Sequence, residues 1–131
     1  SEIWLDQLLI QKVLPNFTTL TDDDKDNIVH MIFLSKLHLK AVLADLRKLP
    51  FVKTRGGRYD FTSNLYSPDI GIFQLAFEGK DVFPLVDEDD GNNDNDKWIG
   101  FLVELGLRTV VTPDVVIKAA HNSIGQDRDS V

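Results

Sequence analysis

The stretch from Leu49 to Asp60, LPFVKTRGGRYD, constrains this chain more than any other. Two apolar helical patterns run into it, and short elements follow it. The ring of Pro50 disfavours helical geometry at Leu49, so the preceding helix ends there. Phe51, Val52 and Lys53 suit an extended strand. Gly56 and Gly57 tolerate the positive φ that a tight reversal needs. Arg58, Tyr59, Asp60 and Phe61 alternate polar and aromatic, as a half-buried return strand does. The stretch predicts one small hairpin, from Phe51 to Phe61, set behind a helix. Arg55 and Arg58 flank the two glycines, so a phosphate cradle is the functional alternative. It lacks the lysine of a P-loop and a helix start after the turn, which favours a plain reversal.

Before that stretch, Ile3 to Leu14 is apolar nearly all round a helical wheel, the signature of a helix covered on more than one side. Pro15 is expected to stop this helix, leaving Asn16 to Leu20 as a connector. Thr21 is a good N-cap, and Asp22, Asp23 and Asp24 complement the positive helix end that follows. The same aspartates suggest a metal site, but no distant ligand converges on them. The helix is expected to bury Ile28, Met31, Ile32 and either Phe33 or Leu34. Leu39, Val42, Leu43 and Leu46 then fall at i, i+3, i+4 and i+7, one apolar stripe. Arg47 and Lys48 are too few to make a basic patch and suit that helix's C-terminus.

After the hairpin, residues 62–69 are turn-rich. Ile70 to Phe77 reads as a short helix with Phe73 and Phe77 on one face, closed by Gly79. Val82, Phe83 and Pro84 suit a short extended piece. Asp87 to Asp96, DEDDGNNDND, has no apolar residue and reads as a flexible acidic loop. A calcium loop fails on register: with Gly91 at the sixth position, Val86 and Lys97 fall where Asp and Glu are required. Trp98 to Leu107 is a helix with Trp98, Phe101, Leu102 and Leu105 inward, ended by Gly106. Thr112 caps the last helix with Pro113 in its first position, and Val115, Val116 and Ala119 or Ala120 face inward. The tail, 125–131, is expected to fray.

The fold expected is α+β, mainly α: a helical domain with one small β-hairpin. Its 131 residues fit a single domain. The expected core is Ile28, Ile32, Leu39, Leu43, Leu46, Phe51, Phe73, Phe83, Trp98, Phe101 and Leu105. A net charge of −7 argues against nucleic acid and anionic membrane surfaces as partners. There is no cysteine, so thiolate and disulfide chemistry are excluded. No apolar run reaches the roughly 20 residues of a membrane span, so no membrane insertion is expected. The chain opens at Ser1-Glu2 directly inside an apolar pattern, which predicts a fragment of a longer protein.

Chemistry is hard to find. His30, His38 and His121 lack the i, i+4 spacing of a zinc helix and are expected at the surface. No G-x-S-x-G elbow is present. Asp69-Ile70-Gly71 begins like the phosphate motif of GHKL-type ATPases, but Phe73 occupies the place of the next glycine. The expectation is therefore no catalytic residue, no cofactor and no metal. The expected contact residues are Ile3, Trp4 and Leu8 of the over-apolar first helix, with Arg55 and Arg58 at the hairpin turn.

LPFVKTRGGRYDFTSNLYSPD, then IFQLAFEGKDVFP, then LVELGLRTVVTPDVVIKAA, resembles the repeated regions of the sacsin family. Leu49, Pro50, Phe51, Val52, Gly57 and Arg58 match its hairpin motif. Leu65, Tyr66, Pro68 and Asp69 match its turn, with Ser67 in place of the usual Asp. Phe83-Pro84 and then Leu105, Gly106, Leu107, Arg108, Thr109, Thr112 and Pro113 match the remainder. The likeness runs from about Phe17 to Asn122, and the acidic run at Asp87 departs from it. Family members are very large cytosolic chaperones or co-chaperones whose repeats begin with a GHKL ATPase-like domain. The resemblance implies a cytoplasmic, non-catalytic interaction module downstream of such a domain. It implies as partners the adjoining domains, client proteins and the heat-shock chaperone system, and a fragment with an uncovered first helix would form a weak homodimer. The alternative is a regulatory segment that offers Arg55 and Arg58 to the neighbouring ATPase.

Overall fold

The computed structural model describes residues 5, 7–35, 40–87 and 94–129. These form a mainly helical α+β fold with one two-stranded antiparallel sheet. The first helix includes Leu5, Gln7 and Leu8 and then widens into a π-helical turn over Leu9–Val13, where the Leu14 amide donates to the Leu9 carbonyl. A 3₁₀ helix, Leu14–Thr19, follows without a break. Contrary to expectation, Pro15 does not end the helix in a connector. It sits in the first turn of the 3₁₀ segment, where a missing N–H is tolerated. That segment buries Leu14 and Phe17 completely.

Helix α1, Asp22–Leu34, begins as expected: the Thr21 hydroxyl accepts from the Asp24 amide at 3.2 Å, and three aspartates fill the first turn. Its inward face differs. Val29 and Ile32 are buried, Ile28 and Phe33 half-buried, and Met31 and Leu34 exposed. The helix is turned so that Phe33 meets the rings of Trp98 and Phe101. Helix α2, Lys40–Arg47, buries Val42 and Leu46 and half-buries Leu43; Leu39 and His38 lie outside the described residues. Arg47 reaches past its own helix and donates to the Glu104 carbonyl at 2.9 Å. A cation thus meets the unsatisfied end of another helix.

The hairpin forms where expected. Strand β1, Val52–Lys53, pairs with β2, Tyr59–Asp60, in the register Val52 to Asp60 and Lys53 to Tyr59. Thr54 and Arg58 close a three-residue loop, and its last residue, Gly57, has φ 89°. Two further segments lean on this ribbon. Thr54 pairs with Pro84, and Tyr66, itself joined to Val82, pairs with Arg108. Helix α3, Gly71–Ala76, ends in a turn with Gly79 at φ 77°.

Helix α4, Asp94–Glu104, starts earlier than expected, so Asp94, Asn95 and Asp96 belong to its first turn and not to a loop. Asn95 bonds both backbone groups of Asp87 and ties the helix start to the chain before it. Residues 88–93 lie outside the described residues. The helix ends on Gly106 at φ 108°, with Leu107 N–H bonded to Leu102 O and Gly106 N–H to Val103 O. That paired closure satisfies two orphan carbonyls and needs a left-handed residue at its centre. Helix α5, Pro113–Asp129, is capped by Thr112 and runs past Gly125 instead of fraying there. Val115 and Ala119 face inward; Val116 and Ala120 do not.

Two apolar clusters result. The larger joins the first helix, α1, α2, β1 and α4 around Phe17, Leu46, Phe51 and Leu102. The smaller sits between α3 and α5, around Phe73, Phe77, Phe83 and Val115. The hairpin and its two leaning segments lie between them. Ile32, Leu46, Phe51, Phe73, Phe83, Phe101 and Leu105 are in the core as expected. Trp98 is only half-buried, because its ring lines a groove.

Candidate functional site

The hairpin turn carries the densest polar cluster among the described residues. Loop geometry brings Asp81, from the segment after α3, against the Gly56-Gly57 reversal. Its Oδ1 accepts from the Gly56 amide at 2.9 Å. Its Oδ2 accepts from the Thr54 hydroxyl at 2.7 Å and from Arg58 Nε at 3.1 Å. Arg58 also donates to the Asp81 carbonyl and to Asp60 Oδ2, both at 2.7 Å. The anion cradle raised by the sequence is thus occupied by the chain's own carboxylate. A Cβ on Gly56 would sit 2.6 Å from Asp81 Oδ2, so a larger residue there would push that carboxylate off the turn.

The electrostatics follow. The Thr54 hydroxyl bond, aided by the Gly56 amide and Arg58 and opposed by burial, holds the Asp81 carboxyl below its ordinary value. Burial raises Asp60, but bonds from Asn64, Arg58 and the Phe61 amide outweigh it and leave its pKa lowered. Asp60 and Asp81 in turn raise Arg58. Beside them, burial and then a 2.6 Å bond to Asp26 push the Tyr59 hydroxyl well above its usual range. Charges so matched stabilise one another and leave no poised acid or base.

Of the expected contact residues, Arg58 gives its donors to Asp60 and Asp81. Arg55 is exposed, lies over the Phe83 ring at 4.9 Å and bonds Gln74 at 3.3 Å. Leu8 is half-buried; Ile3 and Trp4 lie outside the described residues. His30 and His121 are exposed, as expected. Phe73 is fully buried beneath Asp69-Ile70-Gly71. Among the described residues no group of three or more carboxylates and histidines is placed to hold a metal ion. No helix among them is long and apolar enough to cross a membrane.

Sequence reasoning missed a groove between α1 and the start of α4. It has a volume of about 400 Å³. Phe33, Phe51 and Trp98 give it an aromatic floor, and Leu34 and Leu85, 64% and 45% exposed, stand at its mouth. Among the described residues Asp26, Asp87 and Asp94 line it too, with His30 and one lysine, Lys53, which Asp26 holds at 3.4 Å. The signal for it lay in Leu34 and Leu85, apolar residues at the ends of their segments, but which of them stay exposed depends on how α1 is turned. No protein-family profile, curated protein or solved structure matches this chain.

Proposed function

We propose that this chain is a non-catalytic, cytoplasmic protein-interaction module, built like a downstream part of a sacsin-type chaperone repeat. One observation carries the reading. The residues that make up the resemblance meet in one framework: Thr54 pairs with Pro84, Tyr66 with Arg108, and Arg58 ties to the segment before Phe83. Their polar groups are used on one another, as those of structural residues are. Apolar side chains left at the surface, Val116, Ile117 and Ile124 on α5 among them, suit contact with other proteins. The partners are then the adjoining domains and client proteins, with the heat-shock system beyond them.

The test combines two measurements on the purified chain. Light scattering from a heat-labile client protein should show aggregation suppressed. Calorimetry with ATP and magnesium should show no binding. Measurable ATP affinity, or clients that aggregate as fast with the domain as without it, would defeat the reading. A second reading rests on Arg55 alone, whose guanidinium is exposed at the turn tip. In it, Arg55 contacts nucleotide on a neighbouring ATPase domain. Replacing Arg55 with alanine in the whole repeat should then slow ATP hydrolysis, and an unchanged rate would end that reading.

A further inference from the structure

We propose that the groove between α1 and α4 docks a basic peptide segment with an apolar anchor, an inference that rests on the interaction-module reading. The anchor, a leucine or an aromatic, packs on Phe33, Leu85 and Trp98, while flanking lysines or arginines face Asp26, Asp87 and Asp94.

Three features select this occupant. First, the floor is aromatic and the volume, about 400 Å³, holds one or two large side chains. Phe33, Trp98 and Phe101 brace one another, with Trp98 edge-on to Phe33 at 5.2 Å and stacked on Phe101 at 5.7 Å. A floor held in place that way loses little side-chain freedom when a ligand lands on it. Second, the lining is electrostatically one-sided. Among the described residues three carboxylates line it against one lysine, Lys53, with His30 beside them. Such a field repels anionic ligands, fatty acids and phosphates included, and draws cations. Third, the apolar surface does not stop at the groove. Leu34 and Leu85 carry it out over the rim. A small molecule seated inside would leave both uncovered, whereas a polypeptide lying across the mouth covers them. Aromatic floor, acidic rim and apolar shoulders together match an amphipathic segment with Lys or Arg along one side.

The probe is a fluorescein-labelled amphipathic peptide with leucine and tryptophan on one face and lysine on the other. Its control carries glutamate in place of every lysine. Anisotropy should show saturable binding of the basic peptide, weakening as salt is raised, and none of the acidic one. Leu34→Ser and Leu85→Ser alter exposed side chains without adding charge, so both variants should melt like the parent chain. Each should bind the basic peptide about threefold more weakly, as loss of an apolar contact at the mouth does. Equal binding of the two peptides, no binding of either, or undiminished binding by both variants would overturn the proposal. So would sedimentation in which a second copy of the chain fills the groove and Leu85→Ser dissolves the dimer. Failure here is separable from failure of the wider reading. Clients still protected by a chain that binds no peptide would sink the groove alone, and peptide bound without client protection would sink the module reading alone.

Discussion

The Asp81 carboxylate accepts three hydrogen bonds at the hairpin turn, and its proton affinity reports on them. Its folded pKa, like that of Asp60, lies below the ordinary 3.8. A carboxyl depressed by folding adds stability that is complete above its unfolded pKa and is lost as pH falls through the folded one. Asp81→Asn should therefore cost about 1 kcal/mol near neutrality, with the site's partial exposure limiting the loss. The gap between variant and parent should narrow in urea melts as pH drops below about 4. A gap that stays constant down to pH 2 would show that the charge contributes nothing. Thr62 is the opposite case. It is fully buried, and its hydroxyl has no hydrogen-bond partner among the described residues. Thr62→Val keeps the shape and removes an unsatisfied group, so it should raise stability by up to about 1 kcal/mol. A loss on chemical denaturation would reveal a partner for that oxygen. Neither residue stood out in the sequence, because both depend on what folding brings near them across many positions.

At the scale of elements, local chemistry was the most legible. Thr21 and Thr112 as caps, Pro50 as a stop, Gly57, Gly79 and Gly106 in left-handed geometry and the place of the hairpin all follow from nearest-neighbour preferences. What escaped was packing. The segment around Phe17 looks like a connector by composition, yet tertiary contact makes it a helix and buries the ring. Helical periodicity placed Met31 inward, but the angle at which α1 meets α4 turned it out. The energetics should follow the packing. Phe17→Ala should cost about 3–5 kcal/mol, the loss typical of a fully buried aromatic. Trp98→Ala should cost less, since half-burial means a smaller transfer loss and a site open enough to take up water. Denaturant melts that ranked Trp98 above Phe17 would contradict the burial described.

Across the whole molecule, the two apolar clusters divide the chain unevenly. The α3–α5 cluster has six buried members, and it is attached through Phe83 and Pro84 to the hairpin and through Tyr66 to Arg108. Fewer buried contacts mean a lower free energy of local opening. Native-state hydrogen exchange should show the amides of α5 exchanging before those of α4, with protection in α1 and α4 tracking global unfolding. Uniform protection across α1, α4 and α5 would mean one cooperative unit. The groove belongs to this scale as well. Its residues come from three stretches far apart in sequence, so no single motif announces it. The turn cluster was half-legible. Glycine and arginine spacing pointed to an anion site, but the anion proved to be Asp81, twenty-five positions from Gly56.

The π-helical turn at Leu9–Val13 carries a consequence for ancestry. Its i to i+5 hydrogen bond means that the chain spends one residue more there than a regular helix would between the same endpoints. A kindred chain with an ordinary helix would be one residue shorter at this point. An alignment forced straight through would pair every position upstream of the turn with a neighbour about 100° round the wheel. Opening a single gap within the turn restores the correspondence of faces, and kinship hidden on one side of Leu14 would come into register with that on the other.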